Sequence, residues 1–392
     1  MQTLLKIFFR TFFDNSIIRT FLTVFSITIS SAAVAVIMIL FTLSVRAVDA
    51  PKFVKNYITE EIENLDFESQ FEFGRVQIAL SENFYPKIIV SDVTIYDNVD
   101  SLPFLEISKL ELGASLRQIS TGNFNLSTIL LDGLTIGVSR DITGDYSIKF
   151  GQNSLLTSEV DVFSPASMGL RKLFEKEAFL DLENFTVTSM TVQYDDQKES
   201  KLWVIDGARI ELNKQLDDVF VRGDAAFLMG GADISMLQVN YETNLKSGDG
   251  SVGILFEGFP SKEIAAQAPA LSWLNIVEAP ISGAFRTKVG SEMEVDEINA
   301  SLRIGSGVIR ADDKSKPLRF DNANVYFSYN RKINLLNFEE ITINSTDLQT
   351  ILAGSVQLKV DENKRTYYTG TLTANELKAN PLEIYERALE LE

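Results

Sequence analysis

Apolar and polar positions follow three successive patterns along the chain. From Thr20 to Val45 apolar residues run without a charge. Phe53, Tyr57, Ile58, Ile62 and Leu65 then recur at helical spacing. From Phe71 onward the period falls to two, as in Val76, Ile78 and Leu80, in Leu105 and Ile107, and in Leu110 and Leu112. That alternation is the mark of strands covered on one face. One phrase sets the type: ILLDGLTIGVSRD, from Ile129 to Asp141, reads as two short apolar strands, Ile129–Leu131 and Leu134–Val138, joined through Asp132-Gly133. Variants begin at Ile88, Trp203, Leu318 and Leu335.

The recurrence predicts a mainly β protein: a long, curled, mostly antiparallel sheet that forms an open groove with a greasy inner face. Ser91-Asp92, Asp132-Gly133, Glu183-Asn184 and Asp206-Gly207 interrupt the alternation in mid-phrase. Such pairs are either tight hairpin turns or bulges that bend one strand, and the pattern leaves both readings open.

Three stretches depart from the strand period. Gln152–Ser158 reads as a loop, and Ser164–Leu180 as a short helix with Ser164 as cap and Met168, Leu173 and Phe174 as its stripe. Pro260–Val277 reads as a second helix, with Ile264, Ala268, Leu271, Leu274 and Ile276 on its apolar side. A third is expected to begin at Asn380-Pro381. The chain is therefore divided into an interfacial segment (1–19), a membrane helix (20–45) and an amphipathic helix capping the sheet (46–66). A first groove segment (67–160), a helical interruption (161–180) and a second groove segment (181–259) follow. A helix (260–277), a third groove segment (278–375) and the start of a helix (376–392) complete it. Ending at Glu392, such a sheet is expected to have an open edge, calling for a partner or a continuation of the chain.

The uncharged run between Arg19 and Arg46 is 26 residues long. At about 1.5 Å per residue it reaches roughly 39 Å, enough to cross a bilayer core with tilt. A signal peptide's apolar core is only about 7–15 residues long, so an uncleaved anchor is expected. Lys6, Arg10 and Arg19 before the run balance Arg46, Lys52 and Lys55 after it, so positive charge does not set the orientation. A cytoplasmic N-terminus is expected because a first span followed by a long translocated domain is the commoner arrangement. Phe8, Phe9, Phe12 and Phe13 beside Lys6 and Arg10 read either as an interfacial helix or as a basic, aromatic flank of the span.

Composition narrows the chemistry. With 36 Lys and Arg against 54 Asp and Glu, the net charge is −18, which repels phosphate backbones, and no nucleic-acid partner is expected. The chain has no cysteine and no histidine. Disulfides, thiolate metal sites, histidine-ligated metals and His-dependent triads are thereby removed. Paired acids at Asp195-Asp196, Asp217-Asp218, Asp312-Asp313 and Glu339-Glu340 read as solvated turn residues. Gly248-Asp249-Gly250 and Gly305-Ser306-Gly307 open no helix and read as turns or bulges. No enzyme activity, metal or cofactor is expected. The functional candidates are the inward apolar positions Leu110, Leu112, Leu134, Ile136, Val138, Val252, Ile254, Phe256, Leu302 and Ile304. From the residues alone they fit an ordinary core facing a second sheet as well as a lipid-lined groove.

The order of features after the membrane run resembles the AsmA-like family. Gly74-Arg75 is followed by a strand ending at Asp92-Val93, then by Leu110–Leu116, Asp132-Gly133-Leu134 and Gly144-Asp145. The later stretch FPSKEIAAQAPALSWLNIVEAPISGAF, with Gly283, Gly305 and Gly307, is similar to the YhdP-like branch. The resemblance extends over roughly residues 1–380. It implies an inner-membrane protein with a taco-shaped periplasmic groove that conducts phospholipids towards the outer membrane. Family members usually run longer and end in a further periplasmic region. Implied partners are phospholipid acyl chains, the inner membrane and other envelope proteins. A structural or assembly factor that binds partner strands through open sheet edges is the alternative.

Overall fold

The structure, a computed structural model, describes residues 16–52, 54–56, 69–81, 84–97, 103–114, 126–143, 146–150, 170–171, 174–175, 179–197, 201–228, 234–266, 269–291, 294–310, 317–346, 348–360 and 366–379. Helix α1 (Ser16–Val45) holds a stretch, Thr23–Val45, long and apolar enough to cross a membrane, none of it buried within the protein. Its apolar surface faces outward all round, with Phe21, Ile37, Met38 and Phe41 each more than 60% exposed. The N-terminal stretch Leu4–Phe13 lies outside the described residues.

The rest is chiefly β. The first strands are β1 (Val48–Asp49), β2 (Ser69–Glu72), β3 (Val76–Leu80), β4 (Pro86–Asp97), β5 (Pro103–Gly113), β6 (Thr128–Arg140) and β7 (Tyr146–Phe150). Then come β8 (Asn184–Asp196), β9 (Lys201–Gln215), β10 (Asp218–Leu228), β11 (Ile234–Asn244) and β12 (Gly250–Pro260). After a short helix α2 (Ser261–Ala265) and a 3₁₀ segment (Pro269–Ile276) come β13 (Val277–Glu278), β14 (Pro280–Val289), β15 (Glu297–Ile304), β16 (Gly307–Ile309) and β17 (Leu318–Phe320). The last are β18 (Asn322–Asn330), β19 (Leu335–Asn344), β20 (Leu348–Val360) and β21 (Thr366–Ala379).

Fifteen strands form one unbroken ladder, β3-β4-β5-β6-β8-β9-β10-β11-β12-β14-β15-β18-β19-β20-β21. At about 4.8 Å per strand it measures roughly 67 Å along its curve. Every joint is antiparallel except β6–β8. A parallel joint needs a crossover of a dozen residues or more, and the chain between Phe150 and Asn184 provides it. The helical interruption thus has a topological reason. β13, β16 and β17 make a separate three-stranded sheet.

The register gives the sheet two unlike faces. One row crosses it as Val76, Val90, Leu110, Leu131, Val187, Ile210, Gly223, Val239, Ile254, Phe285, Ala300, Phe327, Phe338 and Gly354, with no polar side chain. The neighbouring row, one residue along each strand, reads Gln77, Ile89, Glu111, Leu130, Thr186, Glu211, Arg222, Asn240, Gly253, Arg286, Asn299, Ser328, Asn337 and Ser355. Ion pairs knit that outer face: Lys87 and Lys109 reach Glu111 at 2.8 and 3.2 Å, and Arg222 reaches Asp224 at 3.1 Å. Slipping any strand by one residue would exchange the faces, so the pattern itself pins the register.

Asp132-Gly133 does not turn the chain. β6 runs through it, with Gly133 at φ 77°, and Ser108 and Gly133 fall between the bonded pairs Ile107–Leu134 and Lys109–Asp132. Comparable left-handed residues sit inside β4 (Asp92), β8 (Ser189), β9 (Gly207) and β12 (Gly258). The register shifts near the last three and again around Glu339-Glu340 in β19. These interior kinks bend long strands and close one face into a trough.

Several boundaries differ from the sequence reading. The helix assigned to 46–66 gives way at its start to β1, where Val48 and Asp49 pair with Ile78 and Gln77; described helical residues begin at Lys52, Ala50 and Val54 pack on the core, and residues 57–66 lie outside the described residues. In place of the single helix expected over 260–277 the chain has α2, which ends at Ala265, and the 3₁₀ segment, which starts at Pro269, with Ile276 41% exposed. Pro269 opens the 3₁₀ segment, and a proline has no N–H with which to continue an α-helix from the preceding turn. The third groove segment runs four residues past 375, to Ala379; the start of a helix assigned to 376 onward is strand as far as it is described. Asp195-Asp196 and Glu339-Glu340 lie in strands, and Asp196 is buried beside Arg140 at 3.5 Å. Asp217-Asp218 sits at a turn as expected, and Asp312-Asp313 lies outside the described residues.

A Cβ at position 133 would lie 2.3 Å from Ser108 Oγ in a backbone that L-residues avoid. Gly133→Val is therefore expected to lower stability by at least about 2 kcal/mol, read as a fall in the urea midpoint. Asp132 accepts hydrogen bonds from the side chains of Ser189 and of Thr188, the latter at 2.8 Å, and these hold its carboxyl below the usual range against the opposing effect of burial. A lowered folded-state value contributes stability above the unfolded pKa of about 3.9, lost as pH falls through the folded one. Asp132→Asn should flatten the acid limb of stability below roughly pH 4; parallel limbs for the two proteins would contradict this.

Candidate functional site

The trough is lined by the apolar row and its same-face neighbours two residues away. Its covering is uneven. At the β3 end, Ala50 and Val54 pack over the sheet, and Val76 and Val90 are 0% and 2% exposed. Over β5–β10, Leu170, Phe174, Phe179 and Leu182 pack on Leu112, Ile129, Phe185, Leu212 and Val219. Lys214 fastens that cover by donating to the Leu180 carbonyl at 2.9 Å, and its Nζ lies 4.5 Å from the Phe174 ring centre.

The second cover is the α2–3₁₀ segment. Its Trp273 stands edge-on to Phe327 and Phe338 at 6.4 and 5.9 Å, and Ser272 hydrogen-bonds Tyr368 of β21 at 2.7 Å. Leu271 and Leu274 are buried beneath it. The segment leaves the sheet after β12 and returns across the apolar face to the far edge.

Between these covers the face is unsealed. Ile210, Val239, Ile254 and Phe285, on β9, β11, β12 and β14, are only half-buried. Here lies a cavity of about 480 Å³, within the roughly 300–1,000 Å³ usual for ligand pockets. Its floor is Phe227, Leu237, Val252, Ile254, Phe256, Phe285 and Ile298; Ile264, Ala270 and Leu271 form one wall. Trp203 of β9 and Tyr329 of β18 line the same cavity although five ladder strands separate them, which the curl of the sheet makes possible. Phe256 and Phe285 stack at 5.5 Å, and Phe259 stands edge-on to Phe256 and Phe227 at 6.0 and 5.4 Å. Polar groups are confined to Glu263, Arg286, Thr287 and Tyr329. Burial pushes the Tyr329 phenol up, so it stays neutral, and it donates to Asn334 Oδ1 at 2.9 Å. A larger depression of about 750 Å³ is lined from both faces, by Asp224, Gln238, Glu257 and Arg303 beside Leu237, Phe256 and Leu302, and is more polar than the trough cavity. Among the described residues no cluster of acids could hold a metal ion.

The ten positions singled out from sequence divide into groups. Val252, Ile254 and Phe256 line the cavity. Leu110, Leu134 and Ile136 belong to the main apolar cluster, while Leu112 packs under the first cover. Val138 pairs in register with Tyr194, which in turn pairs with Trp203 at the cavity's edge. Leu302 and Ile304, 1% and 3% exposed, are sealed in the core and contribute packing to the fold. Phe227, Leu237, Phe285, Ile298, Phe327 and Tyr329 were not anticipated. Their signal was register, since Leu237, Phe256 and Gly283, like Ile254, Phe285 and Ala300, sit directly opposite one another.

No family model, no curated protein and no solved structure matches this chain. An apolar cavity should take up an apolar fluorophore such as N-phenylnaphthylamine. Ala270→Trp, which places an indole in the wall, is expected to weaken that uptake by about tenfold, equivalent to ~1.4 kcal/mol. Unchanged binding in a fluorescence titration would locate the fluorophore elsewhere.

Proposed function

We propose that this protein is an inner-membrane-anchored, lipid-binding groove that contributes to phospholipid transfer towards the outer membrane and to envelope integrity. In this reading it is an AsmA-like protein, with its N-terminus cytoplasmic, α1 spanning the membrane and the sheet in the periplasm. The supporting observation is the half-buried apolar surface at Ile254 and Phe285 on the cavity floor, continued beside it by half-buried Ile210 and Val239. Water is a poor neighbour for such a surface, since each fully buried large apolar side chain gains about 1.5–3 kcal/mol. An acyl chain matches it in chemistry: long, apolar and without directional demands. Function so conceived resides in a continuous surface, not in a reactive residue, and the chain is read as a carrier, not an enzyme.

The alternative, an assembly factor acting through sheet edges, draws its support from β21. Among the described residues that strand pairs only with β20, and Leu372 and Leu377 are 45% and 63% exposed.

Full-length protein purified in mild detergent is expected to retain phospholipid in stoichiometric amount, measured by lipid extraction and mass spectrometry. Ile254→Asp places a charge on the floor and should abolish retention, while Ile254→Val should preserve it. An Asp variant that keeps the wild-type circular dichroism and still carries its full lipid load would sink the proposal and favour the edge-binding reading.

A further inference from the structure

We infer that the β3–β4 turn is a second membrane anchor, seated in the bilayer interface beside the point where α1 leaves the membrane. This rests on reading Thr23–Val45 as a membrane span. Phe84 and Tyr85 lie in that turn just before β4 and are 58% and 43% exposed. They are held outward by three hydrogen bonds around one residue. Ser81 N–H donates to the Tyr85 carbonyl at 2.8 Å, Phe84 N–H donates to the Ser81 carbonyl at 2.9 Å, and Tyr85 N–H donates to Ser81 Oγ at 3.1 Å. Phe84 has φ 59°, a conformation that bulky residues adopt only where the surroundings impose it. Two neighbouring aromatics are thus fixed in solvent at a backbone cost, where a Gly or Asn would turn the chain more easily.

Their position supplies the occupant. β1 pairs antiparallel with β3, Val48 opposite Ile78 and Asp49 opposite Gln77. Running back from Val48, the chain heads towards the Leu80 end of β3, and α1 contacts that strand. The aromatic pair therefore lies at the end of the sheet from which the apolar helix departs. Aromatic side chains concentrate at the level of lipid headgroups, where an apolar ring and a polar edge are both accommodated. The surface is continuous with the span, and a lipid interface is the partner that lies within its reach. Two anchoring points, a helix and a turn, would fix the tilt of the trough on its stalk.

The same rim carries a built-in control. Leu216, in the β9–β10 turn, is 91% exposed with φ 58°, but it stands at the fifth ladder strand after β3, roughly 24 Å along the curve of the sheet at about 4.8 Å per strand. The chain has no cysteine, so single cysteines can be labelled cleanly. Ala35→Cys, Phe84→Cys and Leu216→Cys of the full chain are each labelled with an environment-sensitive fluorophore. They are then reconstituted into phosphatidylethanolamine–phosphatidylglycerol vesicles bearing spin labels at shallow or deep acyl positions. The label at 35 is expected to be quenched by the deep spin label. At 84, blue-shifted emission and loss of most intensity to the shallow one are expected, with a water-like spectrum at 216. A water-like spectrum at 84 with deep quenching at 35 overturns the inference while leaving the span intact. Equal shallow quenching at 84 and 216 also overturns it, because the whole rim would then lie on lipid. Absence of deep quenching at 35 overturns it by removing the span. None of these readings depends on lipid held in the trough, so failure here and failure of the carrier proposal are distinguishable.

Discussion

A sheet whose strands alternate strictly has two faces that cannot be interchanged, and the rest of this molecule follows from keeping them apart. Between Val76 and Gly354 the apolar row crosses fourteen strands without a polar side chain, while the row beside it carries Glu111, Glu211, Arg222 and Arg286. A single slipped strand would put charges into the trough and leucines into water. The kinks at Asp92, Gly133, Ser189, Gly207 and Gly258 preserve this division as the strands bend. Curvature and segregation of the faces are accordingly one device.

An apolar face of this breadth requires cover, and the covers are few among the described residues. One is the crossover that the parallel β6–β8 joint demands; another is the detour between β12 and β14. Each is a connection put to a second use. Where neither reaches, Ile210, Val239, Ile254 and Phe285 are only partly buried and the cavity opens. The unsealed part of the trough is thus defined by where the connections end, and the aromatic stack of Phe256, Phe285 and Phe259 marks it.

Much of this was legible in the sequence because the two-residue period is a direct imprint of a one-sided sheet. The membrane-length helix and the inward placing of Val252, Ile254 and Phe256 could be read in the same way. The Asp132-Gly133 joint could not be decided, because a hairpin and an interior kink ask for the same left-handed residue. Strand direction was also hidden: alternation is identical in parallel and antiparallel strands, and only the long crossover betrays the β6–β8 joint. The end of β21 was misplaced because the register shift beside Asn375 breaks the period, putting Ala374 and Leu377 out of phase. Pro269, at which the 3₁₀ segment starts within the helix expected over 260–277, is a signal that the apolar spacing of Ile264, Leu271 and Leu274 overrides when the stretch is read by period alone.

The parallel β6–β8 joint also orders events in time. On either side of it the ladder is built largely from neighbouring strands joined by short turns, contacts that close quickly. The joint itself must wait for the crossover between Phe150 and Asn184 to bring distant segments together. A chain made from its N-terminus onward therefore completes one hinge-like sheet before the other exists. The trough is assembled as two leaves sewn along a single slow stitch, and the first leaf, already tied to α1 through β1 and β3, is the template on which the second is laid.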